Sequence, residues 1–83
     1  MNDPRLKRLS YRSWHRGCKE TDQILGRFAD ARLNSLKPTF VDTYEQLLDE
    51  DDGDIWNWLT GKTPPPEKYV ALLELLIKWT NDG

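Results

Sequence analysis

Three consecutive prolines, Pro64–Pro66, stand directly before the stretch EKYVALLELLIKWT, and this pairing limits the fold more than any other feature of the chain. Proline lacks a backbone N–H and has a fixed φ, so a helix can open at such a site but cannot run through it. The spacing predicts a helix over 66–80. Its apolar residues are Tyr69, Val70, Ala71, Leu72, Leu73, Leu75, Leu76, Ile77 and Trp79, and only Glu67, Glu74 and Lys78 form a polar stripe. A helix that is apolar on most sides is a buried one. It is therefore expected at the centre of an all-α bundle, with every other helix packed around it.

The remaining punctuation supplies the other helices. Pro4 suits a first helical turn, and residues 4–15 place Leu6, Leu9 and Trp14 among basic residues, with Gly17 ready to end the helix. A second helix is expected over 18–36, with Cys18, Ile24, Leu25, Phe28, Ala29, Ala31 and Leu36 on one broad arc and Pro38 beyond it. Gly26 lies inside it at a cost of about 1 kcal/mol relative to Ala, which points to close packing there. Phe40, Tyr44, Leu47 and Leu48 define a third helix over 39–50. Asp54 is the expected N-cap of a short fourth helix over 54–60, with Gly61 past its end. No alternating pattern competes, so the expectation is a small single-domain five-helix bundle over 1–83.

Net charge is −2, but residues 1–37 hold nine Lys/Arg against four Asp/Glu, and residues 38–83 hold three against ten. A basic half can attract nucleic acid, a phosphate-bearing cofactor or an acidic protein surface. Solvated helix faces of differing sign are the plainer reading. One cysteine, Cys18, excludes an internal disulfide and fits a reducing compartment. The N-terminal MNDPRLKRLS has no apolar leader core, and the longest apolar run, YVALLELLI, falls well short of the ~20 residues that span a bilayer. These features place the chain in a cytoplasm, most simply a bacterial one, with no insertion into a membrane.

Several chemical motifs fail on spacing. Gly61-Lys62-Thr63 would end a phosphate-binding loop, but its first glycine would fall at Trp56. The run DEDDGD would put Leu48 and Leu59 at the first and last positions of a calcium loop. Its carboxylates are better read as capping a helix, repelling a wrong partner or meeting a basic one. Cys18 beside His15 lacks an orienting acid, and on the apolar arc of its helix it is expected to be a buried, inert thiol. Glu20 and Asp22 lie two apart on a helix, about 160° from one another, and cannot flank one bond. The chain does not read as an enzyme, and it is expected to hold no metal and no cofactor of its own.

The junction WHRGCKETD carries the functional signal. A plain turn needs only its glycine, yet Arg16-Gly17-x-x-Glu20-x-Asp22 surrounds it with charge. This resembles the RGxxE signature of the succinate dehydrogenase assembly factor 2 family, also called the FAD assembly factor family. Residues 44–61, YEQLLDEDDGDIWNWLTG, are similar to that family's second block, in which a Leu-Leu pair precedes an acidic turn and a helix bearing Trp. The resemblance implies a five-helix protein that binds the flavoprotein subunit of succinate dehydrogenase, in some members fumarate reductase, and promotes covalent attachment of FAD. The flavin would link to a histidine of the flavoprotein, so the chain would act on FAD held by its partner. Carried across, the resemblance assigns partner contact to Arg16, Gly17 and Glu20, with Asp22 next.

Where the family commonly has Arg and Met, this chain has His15 and Cys18, and Thr21 replaces a usually apolar residue. His15 could make the contact sensitive to pH. Trp56 and Trp58 lie about 200° apart on a short helix. Trp58 matches the family's Trp and fits the buried side with Ile55 and Leu59, which leaves Trp56 as a second contact residue. Two other classes are weighed: an antitoxin-type interaction protein for a membrane-associated toxin, and a nucleic-acid binder using the basic half. The preferred reading entails a protein partner, no nucleic acid and a monomer when free.

Overall fold

The computed structural model describes residues 3–82. They form five helices, α1 (Pro4–Trp14), α2 (Lys19–Arg32), α3 (Pro38–Leu48), α4 (Asp52–Thr60) and α5 (Glu67–Asp82), with a 3-10 turn at Leu33–Ser35 after α2. No strand occurs among the described residues, and the all-α expectation holds. Pro4 and Pro38 each open a helix, and Asp3 caps α1 by accepting from the Arg5 N–H at 2.8 Å. Gly61 ends α4 in the left-handed conformation at φ 79°.

The core is one cluster of Leu9, Leu25, Phe28, Ala29, Leu33, Val41, Tyr44, Leu47, Leu48, Ile55, Tyr69, Leu72, Leu73 and Leu76. Burying each Leu or Phe of this kind contributes about 1.5–3 kcal/mol. The centre of the bundle is shared by α2 and α5. Helix α2 packs on α1, α4 and α5, and α5 packs on α2, α3 and α4, while α1 packs on α2 and α3. Helix α5 buries Tyr69, Leu72, Leu73 and Leu76 along one face and leaves Val70 and Leu75 exposed. The bundle has too few helices to cover a second apolar face, so the near-continuous apolar run is only half used.

Gly26 explains how α1 and α2 meet. The Trp14 ring lies against its backbone so closely that a Cβ there would collide with the indole. Asp30 then accepts from Trp14 Nε1 at 3.0 Å and from Ser10 Oγ at 2.6 Å. Below this contact sits a buried polar link. Ser13 Oγ donates to the Leu9 carbonyl and lies 2.6 Å from the Tyr44 hydroxyl, which also reaches the Leu25 carbonyl at 3.2 Å. One phenol thereby joins α1, α2 and α3, and burial pushes its pKa well above the usual tyrosine value.

Three further expectations are corrected. Helix α2 ends at Arg32, and the chain tightens into the 3-10 turn before Leu36, so the 18–36 helix is shorter by a turn at its C-terminal end. The N-cap of α4 is Asp51, whose carboxylate accepts from the Gly53 N–H at 3.0 Å, and Asp54 lies exposed inside the first turn. An acidic run offers several caps, and the tie of Asp52 to Arg16 selects the earlier one. Cys18 is not on the buried arc of α2. It is the extended residue ahead of the helix (φ −111°, ψ 114°) and is half-buried.

Candidate functional site

The junction between α1 and α2 is short and fully specified. Helix α1 stops at Trp14, His15 follows it as the C-cap, and Gly17 takes φ 108°, a region that side chains disfavour. Asp22, in the first turn of α2, reaches back over the junction. Its two carboxylate oxygens accept from the Arg16 N–H at 3.1 Å and the Gly17 N–H at 3.3 Å. A carboxylate at a helix N-terminus is favoured by the helix dipole, and here it also satisfies amides that no helix can use.

Arg16 turns inward. Its Nε donates to Asp52 at 2.5 Å, Nη1 donates to the Leu48 carbonyl and Nη2 to the Glu50 carbonyl. Leu48 is the last residue of α3, and Asp52 the first of α4. One guanidinium therefore ties the C-terminal end of α3 to the N-terminal end of α4, and only 10% of its side chain is exposed. Planar guanidinium geometry permits this three-way bond, which a lysine could not reproduce. Its ion-pair partner is Asp52, and not Glu20 of the same motif.

Other carboxylates of the acidic run are likewise engaged. Asp49 meets Arg12 at 2.6 Å, Glu50 accepts from the Tyr69 hydroxyl at 2.6 Å, and Asp51 caps α4. Arg5 adds a bridge from α1 to Asp42 and Glu45 on α3. Thus Arg5 and Arg12 of α1 lie over the acids of α3 and the turn after it, and part of the charge asymmetry of the sequence is internal. No cluster of metal-ligating side chains is assembled among the described residues.

What faces outward is a different set. Gly17, Lys19 and Glu20 are exposed. A Cβ placed on Gly17 would meet nothing within 4 Å, so its restriction is conformational and the space in front of it is open. Glu20 has no ion-pair partner among the described residues, where its one side-chain hydrogen bond is accepted from Cys18 Sγ at 3.5 Å. His15 is exposed and stacked on Tyr11, with ring centroids 4.0 Å apart. Its Nδ1–H donates to the Tyr11 carbonyl at 2.7 Å, because a carbonyl can only accept. Trp56 is half-buried on α4 and shares no hydrogen bond or ring contact with the junction among the described residues. Trp58, by contrast, packs on the core, 5.6 Å from Tyr69.

Two features escaped the sequence reading. The first is Asp52 as the anchor of Arg16, for which the only signal was an acidic run lying 33 or more residues downstream of Arg16. The second is an open groove of about 450 Å³ between α2 and the end of α5, lined by Glu20, Gln23, Ile24, Arg27, Trp79 and Thr80. It gives no trace in local periodicity, since it arises only when the two helices are packed.

Comparison with known proteins agrees with the resemblance drawn from the junction. The sequence model of the family described as flavinator of succinate dehydrogenase matches residues 7–80. Succinate dehydrogenase assembly factor 2, mitochondrial, of Meyerozyma guilliermondii is 46% identical over 76 residues, covering 86% of this chain and 56% of the relative. The protein of the same name in Schizosaccharomyces pombe is 42% identical over 69 residues, covering 83% and 50%. That of Arabidopsis thaliana is 37% identical over 82 residues, covering 92% and 44%. The chain thus spans about half the length of the curated relatives it matches. These relatives are eukaryotic and named mitochondrial, so the expectation of a bacterial cytoplasm is not upheld. No helix among the described residues is long and apolar enough to cross a membrane. With its RGxxE junction held by Arg16 and Asp22, and the family match running from α1 into α5, the chain belongs to the flavinator of succinate dehydrogenase family.

Proposed function

We propose that this chain is an assembly factor that binds the flavoprotein subunit of succinate dehydrogenase and promotes covalent attachment of FAD to it. The observation that carries the reading is the division of labour at the junction. Arg16 and Asp22 hold the turn from within the fold, while Glu20 stands exposed and Gly17 has open space before it. A turn that needed only to reverse the chain would not require a buried arginine and a two-oxygen carboxylate clamp. A rigid platform for a partner's backbone would, because preorganisation lowers the ordering cost of binding.

In this reading Gly17 permits close approach, Glu20 accepts a hydrogen bond or meets a cation, and His15 borders the contact. Arg16 and Asp22 are positioning residues. Trp56 is a secondary contact on α4. Cys18 contacts Glu20 and Thr21, and His15 is bonded to Tyr11, so the two do not form a nucleophile–base pair, in keeping with a factor that leaves the chemistry to its partner. The flavin and its acceptor belong to the partner, and the factor favours their competent arrangement.

The test is acid-stable flavin fluorescence of the flavoprotein subunit produced in cells with no factor, the native chain, Gly17→Arg or Glu20→Ala. Strong signal with the native chain alone is expected. Equal signal in all four would end the flavinylation reading.

A further inference from the structure

The groove between α2 and the C-terminal end of α5 has a construction that the docking turn alone does not require. From α2 it takes Glu20, Gln23, Ile24 and Arg27, a stripe at i, i+3, i+4 and i+7 that forms one face of the helix. From α5 it takes Trp79 and Thr80. Ile24 and Trp79 are half-buried and pack against the core, and Trp79 lies edge-on to Phe28 with centroids 5.7 Å apart. The apolar floor therefore belongs to the rigid body of the bundle. It continues past Ile24 into a smaller depression of about 60 Å³ bordered by Leu59 and Ile77.

The rim is polarised. Glu20 stands at one end and Arg27 two helical turns away, about 10 Å along the axis. Neither enters an ion pair among the described residues, whereas Arg5, Arg12 and Arg16 are all paired. An apolar floor between an unpaired anion and an unpaired cation is complementary to one kind of surface. We infer that the groove receives an amphipathic helix of the flavoprotein, with an apolar side chain over Ile24 and Trp79, a basic residue facing Glu20 and an acidic residue facing Arg27. A helix laid between two helices would continue the packing of the bundle. Glu20 belongs to both surfaces, so the groove extends the docking turn into one continuous interface along α2. The inference rests on the docking reading above and adds to it the chemistry of the segment bound.

Calorimetric titration of the purified flavoprotein subunit tests it, using the native chain, Thr80→Trp, Arg27→Glu, Arg32→Glu and Gly17→Arg. Thr80→Trp fills the groove from an exposed position, and Arg32→Glu makes the same charge change off the groove. Circular dichroism melts confirm that each variant is folded. Weakening of about tenfold or more is expected for Thr80→Trp and Arg27→Glu, with Arg32→Glu binding as the native chain does. Native affinity in both groove variants, with Gly17→Arg defective, would overturn the groove and leave the docking turn standing. No binding by the native chain would overturn the docking reading and the groove with it. A second titration uses free FAD: saturable heat with the native chain that Thr80→Trp abolishes would make the occupant a small molecule and overturn the helix.

Discussion

Two turns of this molecule are dense in charge, and they use it in opposite ways. The turn from α3 to α4 carries Asp49, Glu50, Asp51 and Asp52, and each is engaged within the chain: by Arg12, Tyr69, the α4 cap and Arg16. The junction from α1 to α2 sends Arg16 and Asp22 inward but leaves Lys19 and Glu20 exposed beside an open Gly17. Charge density alone would rank the acidic turn first as a candidate surface. Partner accounting reverses the order, because a charge already satisfied within the fold has little left to offer a second protein.

Arg16 connects the two turns, so removing it should break the comparison most severely. Arg16→Ala leaves Asp52 and two carbonyls without their donor in a largely buried place, and a loss of about 3 kcal/mol is expected in urea denaturation. Arg16→Lys should recover only a small part of this, since one ammonium cannot span three acceptors. A loss below about 1 kcal/mol for Arg16→Ala would mean that the two turns are not mechanically joined.

Two glycine substitutions sharpen the outward half of the contrast. Gly17→Ala and Gly17→Arg should each cost about 1–2 kcal/mol, through φ 108° and not through contact, because nothing lies within 4 Å of the added Cβ. Binding to the flavoprotein should survive largely in the alanine variant and vanish in the arginine one. Equal loss in both would assign the defect to the backbone and not to obstruction of the open face.

Glu20→Gln separates function from stability. Its side chain is exposed and without an ion-pair partner, so the melting midpoint should correspond to a change within about 0.5 kcal/mol, while flavoprotein affinity falls severalfold. A destabilised variant with native affinity would place Glu20 with the inward group.

The smallest effect concerns pH. Tyr44 and Tyr69 are both held above the usual tyrosine pKa near 10, chiefly by burial, with Glu50 reinforcing the shift at Tyr69. A raised folded-state pKa means stability is fully present below pH 10 and is lost as pH rises toward the folded values. Melting temperature should fall above about pH 10, and less steeply in Tyr44→Phe. A flat profile to pH 11.5 would contradict the burial of these phenols.

Much of the helical plan was legible because it is set locally. Pro4 opened α1, Gly61 closed α4, and the 3.6-residue spacing in α3 named Tyr44, Leu47 and Leu48 as buried, though it took Phe40 where Val41 is the fourth. The RGxxE junction was legible as a motif for the same reason: Gly17 and Asp22 act within six residues of Arg16. What went astray depended on neighbours distant in sequence. Helix α5 was expected to hold the centre alone because its apolar residues are nearly continuous, yet packing covers one face only, and α2 shares the centre with it. Asp54 was as good a local cap as Asp51, and the choice fell to Arg16 reaching across to Asp52.

The sequence by itself determined that the chain is helical, where most helices begin, and that a glycine with flanking charges marks the junction, because backbone restriction and periodicity act over a few residues. Tertiary structure alone decided which of those charges face inward, that α2 shares the centre with α5, and that these two helices form a polarised groove. Those outcomes follow from burial and pairing between residues tens of positions apart, where the free energy of a charge is set by what the folded chain places beside it.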